Sequence, residues 1–246
     1  MEAYTSLAME YEKYMEHVPY DRWKDFIIAH LSANNITEGT VAEIACGTGS
    51  MSRLIASAGY DVIASDISAE MLSQAMESPH ENIIYIQQDM QELELGQPAD
   101  AIICVCNGMN YIMDNESLAR VFTCVYDNLR DGGVFIFDMN SVYKFANVMA
   151  NNDVYDNRDD GTFIWENFFD ESTGDNQIDL TFYIRGADGR YDRYEETHFQ
   201  HAFELGDVAD ILYEAGFDEV SVYDDYSEAD PEETTEYYTF IAKRRE

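Results

Sequence analysis

Between residues 40 and 140, short apolar runs alternate with amphipathic stretches. The runs Thr40–Ala45, Asp61–Ser65, Ile83–Gln87, Ala101–Cys106 and Val134–Asp138 are apolar at successive positions, as strands covered on both faces require. The intervening stretches carry helical spacing. Met51–Ala58 ends at Gly59, Ala69–Glu77 follows the N-cap candidate Ser68, and in Ser117–Leu129 the residues Leu118, Val121, Phe122, Val125 and Leu129 share one face. Strand–helix alternation predicts a parallel sheet with right-handed crossovers. Upstream, Asp21–Ser32 places Trp23, Phe26, Ile27, His30 and Leu31 on one helical face. Leu7, Tyr11, Tyr14 and Met15 suggest a second helical piece, broken at Pro19.

After Asn140 the pattern changes. Asn151–Asp160 is polar and contributes little to a core. Three strand-like segments follow, Thr162–Phe169, Ile178–Arg185 and Tyr191–Phe203, separated by turn signals at Ser172–Asp175 and Ala187–Gly189. Their short connections predict an antiparallel meander inserted into an α/β chain. A helix, Asp207–Ala215, and a hairpin of Glu219–Tyr223 and Glu236–Ala242 around an acidic loop complete the pattern. The expected organisation is a helical cap (1–38), a Rossmann-like α/β domain (39–139 and 204–246) and an antiparallel β insertion (140–203).

Composition narrows the function. At 46% hydrophobic residues over 246 positions, the chain can build a full core. No apolar run reaches the ~18 residues of a membrane span, and the N-terminus has neither the basic nor the apolar region of a secretory signal. Cys46, Cys104, Cys106 and Cys124 lack framework spacing, so they are read as reduced thiols of a cytoplasmic protein. Cys104-x-Cys106 has no nearby partners to complete a metal site, and no metal is expected. The net charge of −35 repels phosphate backbones, which argues against nucleic acid and suits a small acceptor, cationic amines included.

Candidate chemistry concentrates at strand ends. The first strand carries Glu43 and runs into Ala45-Cys46-Gly47-Thr48-Gly49, directly before a helix. Glycines there let backbone amides approach a ligand, and the helix N-terminus favours negative charge. Asp66 ends the second strand, where a carboxylate accepts hydrogen bonds from ribose hydroxyls. Asp89 ends the third and can accept from an adenine amino group, with Ile67 or Met90 against the ring. The fourth ends in Cys106-Asn107-Gly108-Met109-Asn110-Tyr111. Gly47-x-Gly49-x-x-Ser52 also nearly fits a dinucleotide fingerprint, so a nicotinamide-dependent oxidoreductase is an alternative.

With these residues the chain resembles the class I S-adenosylmethionine-dependent methyltransferases. Glu43–Gly49 looks like their first motif, Asp66 like the acid after their second strand, Gln88-Asp89-Met90 like their adenine-binding segment, and Leu129–Gly133 like their turn before strand five. The resemblance is closest to small-molecule bacterial members with a helical cap and a β insertion. It implies a seven-stranded sheet, mostly parallel, with an antiparallel last strand. The cofactor-binding set it implies comprises Tyr11, Glu43, Ala45, Cys46, Gly47, Gly49, Asp66, Ile67, Met71, Asp89, Met90 and Asn107. Ala45 replaces the glycine commoner at its position.

Methyl transfer from a sulfonium needs mainly alignment and water exclusion, and proximity supplies about 7–11 kcal/mol. Tyr111 and His198 are the candidate catalytic residues; Tyr20, Trp23, Asn110 and Trp165 are candidate substrate contacts. Residues 198 and 201 fall on opposite strand faces. His201 shares parity with Phe199 and Phe203, which predicts its burial; His198 shares parity with Glu196 and Gln200. A third reading is a non-catalytic cofactor-binding module whose acidic face holds a basic partner protein.

Overall fold

The computed structural model describes residues 18–150, 152–186 and 188–245. Tyr11 and the helical piece expected before Pro19 lie outside them. Strands β1 (Thr40–Ile44), β2 (Asp61–Asp66), β3 (Ile83–Gln87), β4 (Ala99–Cys104) and β5 (Leu129–Asn140) alternate with helices α2 (Ser50–Ser57), α3 (Ala69–Glu77) and α4 (Asn115–Asn128), after a first helix α1 (Tyr20–Ala33). Strands β6 (Asp153–Arg158), β7 (Gly161–Asp170), β8 (Asp175–Arg185) and β9 (Tyr191–His201) follow. Helix α5 (Leu205–Ala215) and strands β10 (Glu219–Asp224) and β11 (Tyr237–Lys243) close the chain.

Two sheets result. The larger has the order β10-β11-β5-β4-β1-β2-β3, and β11 runs antiparallel to both neighbours. The chain order reverses between β1 and β4, which pair in parallel from Val41↔Ala101 to Glu43↔Ile103. Ligands bind at such a switch point, outside the carboxyl ends of the strands. Alternate strand residues feed two cores. Ile44, Ile102, Phe135 and Phe137 face Leu118, Phe122, Val125 and Leu212. Val41, Ile103 and Ile136 face Trp23, Phe26, Ile27, Leu31, Met51 and Ile55. Burying each large side chain contributes about 1.5–3 kcal/mol. Among the described residues no helix is long and apolar enough to cross a membrane.

The smaller sheet, β6-β7-β8-β9, is antiparallel throughout. It has four strands where the pattern predicts three, because the polar stretch after Asn151 forms β6 along the edge of β7. An edge strand with mostly exposed side chains needs no apolar face. Two predicted strand ends also shift. Strand β1 stops at Ile44 because Ala45 turns left-handed, with φ 53°, and β4 stops at Cys104 because Cys106 and Asn107 both adopt φ 60°. A π-helical turn, Lys144–Met149, links β5 to the second sheet and has no counterpart in the predicted elements.

Candidate active site

The turn after β1 and the turn after β4 lie side by side at the switch point. A Cβ on Gly108 would sit 2.6 Å from the Cys104 sulfur and 3.0 Å from the Ala45 methyl, so only glycine lets the loops meet. Gly49, at φ 76°, faces the Tyr85 hydroxyl, which a Cβ would approach to 2.7 Å. Gly47 differs: a Cβ there would meet nothing within 4 Å, leaving open space above the turn. Three non-glycine residues here, Ala45, Cys106 and Asn107, hold left-handed backbone. Such strain costs about 1–3 kcal/mol per residue and persists where surroundings over-determine it.

Asp138 supplies much of that determination. Fully buried at the end of β5, it accepts hydrogen bonds from the Cys106 amide (3.0 Å), the Asn107 amide (2.5 Å) and the Tyr226 hydroxyl (2.7 Å). Burial raises its pKa to about 6, against the lowering effect of those bonds. Sequence reading missed Asp138; the available signal was an acid closing an apolar run, as Asp66 does in β2.

A crevice between the two turns is lined by Tyr20, Glu43, Ala45–Thr48, Ser50, Met51, Val105 and Cys106. Glu43 is buried and accepts a short hydrogen bond from Ser52; desolvation lifts its pKa to about 8. Asp66 accepts from the Gly47 amide and the Ser68 amide, both at 2.8 Å. The Ile67 amide also bonds this carboxylate, which still keeps acceptor capacity for a ligand. Burial raises the Asp66 pKa as well. Ile67, beside it, is 66% exposed, an apolar surface ready for a planar ring. Met71 packs inward from α3, and its amide donates to the Ser68 hydroxyl. Asp89 receives the Gln91 amide at 2.9 Å and starts the 3₁₀ turn that begins at Met90.

A second cavity, of about 460 Å³, lies between these strand ends and the smaller sheet. Trp23, Cys106, Asn107, Tyr111, Lys144 and Tyr237 line one side, and Trp165, Asn167, Ile178, Leu180, His198 and Gln200 the other. Register explains the far wall: His198 pairs with Ile178, and Ile178 with Asn167. His198 Nε2 lies 3.2 Å from Glu196 Oε2 with both side chains buried, and the Tyr111 ring stands edge-on to the His198 ring at 6.0 Å. The structure therefore brings Tyr111, His198, Trp23, Trp165 and Asn107 together. Tyr20 stands at the crevice, where the Cys106 thiol donates to its hydroxyl at 3.4 Å.

Two placements differ from expectation. Asn110 is fully buried away from the cavity; its amide donates to the carbonyls of Asn140 and His201 and its oxygen accepts from the Asn140 amide, tying β5 to β9. The inner face of β9 is the polar one. His198 and Gln200 point inward, while Phe199 is 51% exposed and His201 pairs with Asp175 near the surface. The parity reading assumed that the covered face is the apolar one; here that face lines a cavity and carries polar groups.

The arrangement fits a nucleoside cofactor. Open space above Gly47, remaining acceptor capacity on Asp66 and the buried, unpartnered Oδ1 of Asn107 all face the strand ends.

Residues 41–133 match a family model described as a methyltransferase domain. The chain is 30% identical over 246 residues to a putative methyltransferase of Geobacillus sp. (strain WCH70), covering 98% of this chain and 99% of that one. A putative methyltransferase of Bacillus subtilis (strain 168) is 31% identical over 244 residues, covering 98% and 97%. The crystal structure of an S-adenosylmethionine-dependent methyltransferase from Clostridium acetobutylicum ATCC 824 superposes with a TM-score of 0.87 at 31% identity, covering 99% of each chain.

Proposed function

The chain belongs to the class I S-adenosylmethionine-dependent methyltransferases, and on that premise we propose that it is a cytoplasmic enzyme methylating a nitrogen or oxygen of a small molecule held under the smaller sheet. One observation carries this reading. Cys106 lines both the crevice and the cavity, so the two spaces meet at the end of β4. A cofactor seated over Gly47 and Asp66 would present its reactive end to whatever occupies the cavity.

The cofactor supplies a methyl carbon activated by a sulfonium. The chain supplies position and electrostatics. Asp66 would hold the ribose, Ile67 and Met90 the base, and the backbone of Ala45 to Gly47 the methionine portion. Asp66 and Asp138 place acidic groups behind the crevice, and a positive ligand there would favour their ionised forms, Glu43 included. The smaller sheet excludes water, and orientation across the shared opening contributes about 7–11 kcal/mol. His198, with Glu196 beside its Nε2, would take the proton that the acceptor gives up. The 460 Å³ cavity matches the size of a small-molecule acceptor.

The test is transfer of a labelled methyl group to a panel of small amines, phenols and alcohols. Label should appear on low-molecular-weight product, and Asp66→Ala should weaken S-adenosylhomocysteine at least tenfold in calorimetry, as loss of a charge-assisted bond of about 1.5–3 kcal/mol requires. Label appearing only on protein or nucleic acid would overturn the small-molecule assignment. Unchanged affinity in the variant would overturn the ribose assignment.

A further inference from the structure

Acids outnumber bases 49 to 14 in this chain, yet the cavity under the smaller sheet reverses that balance. Among the described residues lining it there is no aspartate or glutamate, and Lys144 is its one lysine or arginine. Lys144 starts the π-helical turn after β5, its own amide anchored on the Ser141 hydroxyl at 3.0 Å. A π turn inserts one extra residue into the helical path, a distortion frequent at functional sites. Here it carries Lys144 into the cavity wall. The residue is only 8% exposed, and its ammonium stands over the face of Tyr237 at 3.1 Å. Among the described residues it makes no hydrogen bond or ion pair, and its compensation is the through-space influence of Glu236, Asp138 and Asp225. An ammonium largely withdrawn from water gains from a partner that brings a negative charge.

We infer, building on the methyl-transfer reading above, that the acceptor carries a carboxylate and that Lys144 receives it in the cavity. The surrounding groups support this. Burial pulls the Lys144 pKa down to about 8, outweighing the opposing influence of Glu236, Asp138 and Asp225, so the cation is undercompensated. Gln200 contributes a buried, unpartnered Oε1 to the same wall, an acceptor ready for a ligand hydroxyl or amine. Lys144 is the one lysine or arginine in the described lining, and a single ammonium balances the one charge of a carboxylate but only half that of a phosphate dianion. Within the described cavity lining itself the only ionised side chain of the lysine, arginine, aspartate and glutamate types is then the one that would meet the acceptor.

The test uses protein saturated with S-adenosylhomocysteine and compounds paired to differ only by a carboxylate: alkylamines against ω-amino carboxylates, and phenols against hydroxybenzoates. Calorimetry on the wild type should give at least tenfold tighter binding for the carboxylate member of one series. Lys144→Met should erase that preference while leaving binding of the uncharged partner and of S-adenosylhomocysteine unchanged. Lys144→Gln, which keeps hydrogen-bond donors but no charge, should behave alike and serves if the methionine variant folds poorly. Absence of a preference in the wild type, or its survival in both variants, overturns the assignment. Carboxylate binding without methyl transfer from the intact cofactor would instead sink the proposed reaction and leave the Lys144 site standing.

Discussion

Three carboxylates, on Glu43, Asp66 and Asp138, are buried within one small region, and burial raises the pKa of each. A protein designed for stability alone would place apolar groups there. Their arrangement makes sense if a positive group completes the site. The sign of the pH effect follows. The folded pKa of Glu43, about 8, exceeds its ordinary value of 4.5, so the folded state holds the proton more tightly. Its contribution to stability is complete below about pH 4.5 and is lost as pH rises through about 8. Asp138 adds a weaker trend of the same sign, up to about pH 6. Glu43→Gln should therefore flatten the fall in Tm of the ligand-free protein over this window, in scanning calorimetry. A slope equal to that of the wild type would place the titrating group elsewhere.

At the scale of elements, capping and close loop contacts hold the strand ends in place. Ser68 caps α3 by accepting the Met71 amide at 3.1 Å, and its own amide secures Asp66. Ser68→Ala should cost about 1 kcal/mol, which for a chain of this size lowers Tm by about 2–4 °C. Cofactor affinity should fall modestly, since the backbone bond to Asp66 survives. Gly108→Ala is a more severe change. Its Cβ would meet Cys104 and Ala45, forcing the turns after β1 and β4 apart. Thermal scans and cofactor titration should show both lower Tm and weaker cofactor binding; a loss of stability with normal affinity would mean that the turns need not touch. Element prediction from sequence worked where burial was two-sided, as in β1, β2, β4 and β5, and where alternation was clean, as in β8. Strand β3 formed as predicted but, as the sheet's edge, is not covered on both faces, and Ile84 is exposed. Prediction failed at β6, an exposed edge, and at the π turn, whose extra residue leaves no periodic trace.

Over the whole molecule, the net charge of −35 sets a long-range field. S-adenosylmethionine carries one more positive charge than S-adenosylhomocysteine, so the field steers the substrate form of the cofactor toward the site and not the product form. In stopped-flow measurements, raising salt from about 0.01 to 1 M, which shortens the Debye length from ~30 to ~3 Å, should slow association of S-adenosylmethionine more than that of S-adenosylhomocysteine. Equal salt dependence would show that the surface charge plays no part in cofactor capture. Against that field, the cavity under the smaller sheet carries a lysine and no aspartate or glutamate among its described lining residues.

The strand–helix alternation between residues 40 and 140, the glycine turn and the acids Asp66 and Asp89 were legible in the amino-acid string, because each depends on local spacing and on which side chains can be covered. The chain also disclosed its family through Glu43, Gly47, Gly49, Asp66 and Asp89. Tertiary structure alone assembled the cavity under the smaller sheet and the buried acid beside it. Lys144, Asp138 and Gln200 come from β5, the turn after it and β9, and nothing in their local sequence relates them. It also reversed the face of β9: a rule that hides apolar residues holds for a packed core and fails for a cavity, whose walls must offer polar groups to a ligand that the sequence does not contain.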